Sequence, residues 1–219
     1  MNDANKQATP VLEIVSDVVC PWCYVGKRRL AEALDQLGEF PLSVQWRPYE
    51  LNPTMPRAGM ARREYCERKF GSLEQANQLY ARVVDAAHAA GLELNVDRMT
   101  RTPNTRAAHR LIEFAAREGH QDAVVDGLFA AYFVNGQDVG DHTVLLDVAA
   151  AAGLARDAVS AMLAEPEGDA IIEAAERDAR ELGVSGVPAF VYNGHLLFAG
   201  AQSPETIALS LRRARERGL

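Results

Sequence analysis

Two cysteines stand close together in "SDVVCPWCYVGKRR" (16–29): Cys20 and Cys23, with only Pro21 and Trp22 between them. Thiols at this spacing can form half of a metal site, a structural disulfide or a working redox pair, or they can be incidental to a site that binds a thiol cofactor. A structural zinc site needs four ligands, usually two such pairs or one pair with two closely spaced histidines. Cys66 is solitary, and His88, His109, His120, His142 and His195 include no His-x3–5-His pair. Metal is therefore not expected. Redox chemistry has a physical basis at this spacing. A cysteine at the mouth of a helix faces unpaired backbone N–H groups and the positive end of the dipole. That setting favours thiolate and can lower a thiol pKa from about 8.5 into a range of about 3.5–7.5. Cys20 is then the attacking sulfur, and Cys23, one turn inside, the less exposed resolving one.

The surrounding elements must supply that helix mouth. "VLEIVS" (11–16) reads as a buried strand, and Cys20 then opens a helical pattern that Gly38 stops. "LSVQWRPYEL" (42–51) reads as a second strand with Leu42, Val44 and Trp46 on one face, completing a β-α-β unit. From 57 to 182 the period is helical throughout, in short Ala-rich segments with no convincing strand. Ser72 and Gly91 bracket one helix, and Thr102 with Pro103 is placed to start another that Gly119 ends. Strands return in "VPAFVY" and "HLLFAG", joined by Asn193-Gly194, a type I′ hairpin signal. Ser203 and Pro204 begin the last helix. The expected organisation is 1–56 and 183–219 as two halves of one sheet domain, with 57–182 as an all-helical insertion.

"GVSGVPAF" (183–190) is a second chemical signal. Pro188 cannot donate to a sheet ladder. A cis Val187–Pro188 bond would leave the Val187 carbonyl and N–H free to pair with an extended substrate, although most X–Pro bonds are trans.

Bulk properties narrow the classes. A chain of 219 residues, 48% hydrophobic and 24% charged, suits one large domain or a domain with an insertion. A net charge of −7 without a dense Lys/Arg run argues against a nucleic-acid surface. "KRRL" (27–30) reads as a solvated helix face, although Lys27, Arg28 and Arg29 could add weak positive potential near the pair. No apolar stretch reaches the length of about 18 residues that spans a bilayer. "MNDANKQATPVLEIVSD" lacks the basic start, apolar run and cleavage pattern of a secretory signal. A cytoplasmic protein with no membrane partner is expected, and a reducing compartment does not maintain a structural disulfide.

Strand, "CPWC" helix, strand, helical insertion, "GVP", hairpin and helix together resemble a thioredoxin fold carrying the insertion of the DsbA family. "VSDVVCPWCYVGKRRL", "WRPYELNP", "NTRAAHRLIEFA", "LFAAYF" and "GVSGVPAFVYNG…GAQ" look like its cytoplasmic FrnE-like branch. The resemblance runs from about 11 to 211. It implies an α/β thioredoxin-like enzyme that exchanges thiols and disulfides, with Cys20 attacking, Cys23 resolving and Pro188 as the cis-proline beside them. The redox-active group would be the Cys20–Cys23 disulfide, with no tightly bound cofactor. The partners would be protein or small-molecule thiols and disulfides together with an unidentified redox partner, with glutathione a candidate co-substrate.

One departure stands out. Thioredoxin-like enzymes commonly bury an acid at the position Ile14 occupies here, while Glu13 points to the opposite strand face. Asp17 is the remaining carboxylate near the pair, either helping to deprotonate Cys23 or capping the turn into the helix. Asn104 and His109 fall in the insertion, where the resemblance implies a lid, although a lone helical histidine is more often a packed or surface residue. Trp22 is expected to shape the substrate surface, Cys66 to be a bystander in a polar setting, and "LFAAYF" to be helix core. The alternative function is a glutathione-dependent isomerase or transferase, similar to kappa-class glutathione transferases and 2-hydroxychromene-2-carboxylate isomerases. Those enzymes typically carry serine at the position of Cys20 and lack the second cysteine.

Overall fold

The computed structural model of the chain describes residues 9–165 and 169–219. Residues 1–8, which hold nearly half of the segment read as lacking a secretory signal, and residues 166–168 lie outside the described residues. The sheet is four-stranded in the order β2-β1-β5-β6, formed by β1 (Val11–Ser16), β2 (Ser43–Pro48), β5 (Ala189–Tyr192) and β6 (His195–Ala199). β1 runs parallel to β2 and antiparallel to β5, and β5 is antiparallel to β6. The parallel pair needs a crossover, and α1 (Pro21–Leu37) provides it, ending at Gly38 with φ 63°. Asn193 and Gly194 both take positive φ, as a type I′ turn requires.

Strand alternation sorts the two faces of the sheet. Leu12 and Ile14 join Phe190, Tyr192 and Trp46 in a core covered by Val25 and Leu30 of α1 and by Ile207 and Leu211 of α9 (Pro204–Glu216). Val15, Ala189 and Val191 face the other way, against Ala179 of α8 (Asp169–Glu181). Glu13 lies on that second face and pairs with Arg47 at 3.3 Å. Ile14 is thus a packing residue between Trp46 and Phe190, its register partners on the two neighbouring strands.

The block between the halves holds α2 (Arg62–Phe70), α3 (Leu73–Ala89), α4 (Arg106–Arg117), α5 (Gln121–Phe129), α6 (His142–Ala151) and α7 (Arg156–Ala164), followed by α8. Ser72 caps α3 by accepting from the Gln75 amide, and Ser203 caps α9 by accepting from Thr206, with Pro204 in its first turn. α5 continues into a π-helical turn at Ala130–Val134, and Phe129, Tyr132 and Phe133 are buried there, so "LFAAYF" is helix core. Tyr24 of α1 stacks on Phe133 at 5.2 Å, so the inserted helices share the apolar core of the sheet.

Three expectations are corrected. The inserted block is not all-helical: β3 (Met60–Ala61) and β4 (Arg101–Thr102) form a two-stranded ladder, too short to leave a period-2 signature. Thr102 pairs in that ladder opposite Met60 and is not a helix cap. Pro103 keeps the residue before it extended, and α4 begins only at Arg106 after Thr105. Cys66 is buried rather than in a polar setting, packed with Met55, Tyr65 and Ala76.

Candidate active site

β1 ends at Ser16, the chain turns through Asp17, and α1 starts immediately after Cys20. The turn closes on itself, the Cys20 amide donating to the Asp17 carbonyl at 3.0 Å. Cys20 occupies the N-cap position with extended backbone (φ −87°, ψ 110°) and Pro21 opens the first turn, as the sequence suggests. The Cys20 sulfur does not cap that turn; it donates toward the Val187 carbonyl at 3.7 Å. The Val187–Pro188 bond is cis, and α1 passes directly beside it. Both cysteines are free thiols, Cys20 4% exposed and Cys23 completely buried. Trp22, between them, is 39% exposed and stands at the surface.

The environment of Cys23 is asymmetric. Burial, and next the neighbouring Cys20 thiol, push its pKa well above the usual thiol value, while the Ser16 hydroxyl and the Asp17 backbone N–H pull it partly back. Ser16 escaped the sequence reading, although strand alternation places it on the same face as Leu12 and Ile14: a hydroxyl where an apolar residue would be expected. Gly26 was also missed. A Cβ there would lie 3.1 Å from Pro188 Cγ, so the glycine lets α1 approach the Val187–Pro188 segment.

Asp17 and His109 are brought together. Asp17 is completely buried, and its Oδ1 lies 3.3 Å from His109 Nε2 of α4. Its Oδ2 accepts from the Leu51 amide at 2.8 Å. The carboxylate thus serves the inserted helix and the segment after β2, while its main chain serves the cysteine turn. Asn104 is elsewhere: its side chain donates to the Met55 carbonyl at 2.8 Å and accepts from the Arg106 amide at 3.1 Å. It lines a cavity of about 290 Å³ with Arg57, Arg106 and Arg110, and neither cysteine borders that cavity.

The basic cluster is committed away from the thiols. Lys27 pairs with Asp122 at 2.5 Å and Asp126 at 3.2 Å. Arg28 pairs with Glu32 at 3.1 Å, and Arg29 donates to the Ala201 carbonyl at 2.6 Å. Among the described residues no group of three or more His, Cys, Asp or Glu is arranged to hold a metal ion, and no helix is long and apolar enough to cross a membrane.

The arrangement is therefore one nearly buried sulfur at a helix start, a second sulfur sealed one turn behind it, and a carbonyl from a cis-proline segment against the first. Known proteins are similar to this chain over most of its length. A probable DsbA oxidoreductase from Streptomyces coelicolor is similar in structure, with a TM-score of 0.87 and 33% identity over 94% of this chain and 90% of that one. The cytosolic disulfide reductase DsbM from Pseudomonas aeruginosa, solved with GSH, matches at a TM-score of 0.64 and 19% identity over 95% and 98% of the two chains. In sequence, the uncharacterized protein YwbO of Bacillus subtilis (strain 168) is 25% identical over 194 residues, covering 87% of this chain and 90% of that protein. The family described as DSBA-like thioredoxin domain matches residues 11–212, and with a cysteine pair at the start of α1, directly after the first strand of a thioredoxin-like sheet, the chain belongs to that family.

Proposed function

We propose that the protein is a thiol–disulfide oxidoreductase of the FrnE-like branch, acting in the cytoplasm on protein or small-molecule disulfides through Cys20 and Cys23. The single observation that carries this reading is the unequal pair: Cys20 at the helix start against Val187, and Cys23 buried behind it with its thiol held protonated. In the reducing direction the Cys20 thiolate attacks one sulfur of the substrate disulfide. The substrate S–S bond breaks, one substrate thiolate leaves, and a mixed disulfide remains on Cys20. Cys23, once deprotonated, attacks Cys20 Sγ; the second substrate thiolate leaves and the Cys20–Cys23 disulfide forms. Two electrons pass from the dithiol to the substrate, and the reverse sequence oxidises a substrate dithiol. Trp22, exposed beside the pair, and the Val187–Pro188 segment form the surface that a substrate segment would meet.

The second thiol is what favours exchange over a glutathione-dependent isomerase or transferase, which has no use for a resolving cysteine. Glutathione fits here as a co-substrate that reduces the Cys20–Cys23 disulfide. The test is a redox titration with insulin reduction as readout, on the wild type, Cys20→Ser and Cys23→Ser. Both variants should lose turnover, and Cys23→Ser should accumulate a mixed disulfide on Cys20. Full turnover by Cys20→Ser, with glutathione conjugation in its place, would transfer the assignment to the transferase class.

A further inference from the structure

Asp17 is a junction. Its carbonyl holds the Cys20 amide at 3.0 Å, and its N–H faces the Cys23 sulfur. Its two carboxylate oxygens are held from outside the turn, by the Leu51 amide at 2.8 Å and by His109 Nε2 at 3.3 Å. One residue thus meets the backbone amide of Cys20 and the sulfur of Cys23 through its main chain, and the inserted helix α4 through its side chain. Asp17 and His109 are respectively 0% and 1% exposed, so water does not compete for their contact. The acceptor is a carboxylate, so Nε2 carries the proton of this bond, and His109 Nδ1 is buried with no hydrogen-bond partner among the described residues. A buried polar atom without a partner costs stability and calls for an explanation. A purely structural link between α4 and the β1–α1 turn would be better served by an apolar contact or by a fully satisfied side chain.

We infer that His109 is a positioning residue for the resolving step: through its hydrogen bond to Asp17 it fixes the peptide that presents Cys23 to Cys20, so the inserted helix sets the rate at which the mixed disulfide collapses. This rests on the thiol-exchange reading and adds a residue that acts on one half-reaction and not the other. The first attack, by Cys20 on a substrate, needs only the helix start and access for the substrate sulfur. The second requires the Cys23 sulfur to approach Cys20 Sγ in line with the substrate sulfur that departs. The Asp17 N–H and the Ser16 hydroxyl, which face Cys23, must be in place as its charge develops. Loss of the His109 anchor leaves the Asp17 carboxylate held by the Leu51 amide alone, and so loosens the peptide plane behind Cys23.

The two steps can be read separately with a chromogenic aromatic disulfide added to the reduced protein. Attack by Cys20 releases one coloured thiolate and leaves an aryl mixed disulfide; attack by Cys23 releases the second and closes the protein disulfide. Cys23→Ser, which stops after the first release, identifies the phases. His109→Leu should slow the second phase about tenfold, the scale of one hydrogen bond to a charged group, and leave the first unchanged. His109→Gln, whose amide N–H can take the place of Nε2–H, should remain within about twofold of wild type because it keeps that bond. A His109→Leu second phase at the wild-type rate, an equal slowing of both phases, or a His109→Gln as slow as His109→Leu would each overturn the inference. Should His109→Leu fail to fold, the unaltered protein still answers by NMR. The His109 ring nitrogens should shift between the dithiol and disulfide forms, and identical ring signals would refute the coupling. A wild-type protein that never releases the second thiolate would end the exchange reading and this inference with it, whereas a second phase indifferent to His109 ends only the latter.

Discussion

Gly26 and Pro188 are in contact across the junction of α1 and the β5 strand: a Cβ on Gly26 would stand 3.1 Å from Pro188 Cγ and 3.7 Å from its Cβ. Gly26 has no unusual φ and sits inside a helix, where glycine is ordinarily unfavourable by about 1 kcal/mol relative to alanine. Its presence is explained by the close approach alone. The same approach brings the Cys20 sulfur under the Val187 carbonyl.

A branched side chain at this point should therefore separate the two halves of the site. Gly26→Val is expected to destabilise the fold by about 1–3 kcal/mol through overpacking. It should also lower insulin reduction by roughly 10²-fold, because a displacement on the order of 1 Å at reacting groups has that effect. Urea unfolding and turnover measure the two separately. A variant that is destabilised yet fully active would show that the helix–Pro188 distance does not matter for exchange.

Burial of Cys23 makes a prediction about pH that differs between the two redox forms. Its folded-state pKa lies well above the usual thiol value, chiefly through burial and next through Cys20. A group raised on folding contributes stability that is present below the unfolded pKa and is lost as pH rises toward the folded one. The dithiol form should then lose stability steadily from about pH 8.5 upward, whereas the disulfide form, with no thiol to ionise at this position, should not. Thermal melts of both forms between neutral and alkaline pH give the comparison, with Cys23→Ala as control. Parallel curves for the two forms would contradict the account.

Much of this site could be read in the sequence, because it is built from local rules. Cys-x-x-Cys at a helix start, Pro204 after Ser203 and Asn193-Gly194 each determine their own geometry within a few residues. What could not be read depends on tertiary partners. Gly26 looks like an ordinary helical residue until Pro188, far along the chain, is placed against it. Asp17 and His109 are both legible as candidates, yet nothing in their spacing says that they meet each other. Thr102 looked like a cap because Thr-Pro is a helix-start signal, but pairing with Met60 prevailed over it. Cys66 looked polar because its sequence neighbours are charged, yet a helix turns those neighbours outward and Cys66 inward.

The reduction potential should fall between those of the strong oxidants and thioredoxin, within about −120 to −270 mV. A strong oxidant is one whose reduced form is stabilised, largely as thiolate. Here Pro21 and Trp22 supply no cation between the cysteines, and Lys27 is engaged by Asp122 and Asp126. The Cys20 sulfur meets a carbonyl, which accepts from an S–H and gives nothing to a thiolate. Equilibration of the protein with glutathione buffers measures the value. A potential below that of thioredoxin would refute this argument.

Arg106 links the inserted helices electrostatically to the segment after β2. Glu50, 4% exposed, accepts from Arg106 Nη2 at 2.8 Å, and its own amide donates to Glu176 Oε1 at 2.5 Å. Arg106 also reaches Asp169 at 3.4 Å and Glu173 at 3.3 Å, so one guanidinium from α4 offsets several carboxylates gathered from α8 and the end of β2. Removing it leaves the Glu50 carboxylate buried with no counter-charge, a loss of about 3–5 kcal/mol for a broken buried pair. Arg106 is itself about a quarter exposed, so the lower end of that range is expected for Arg106→Leu. Because the loss comes from the stranded charge, Glu50→Gln should recover part of it in the double variant, and the double-mutant cycle should show coupling of more than about 1 kcal/mol. Chemical unfolding of the four proteins decides the matter: strictly additive effects would mean that Arg106 acts through packing of its aliphatic stem and not through the Glu50 carboxylate.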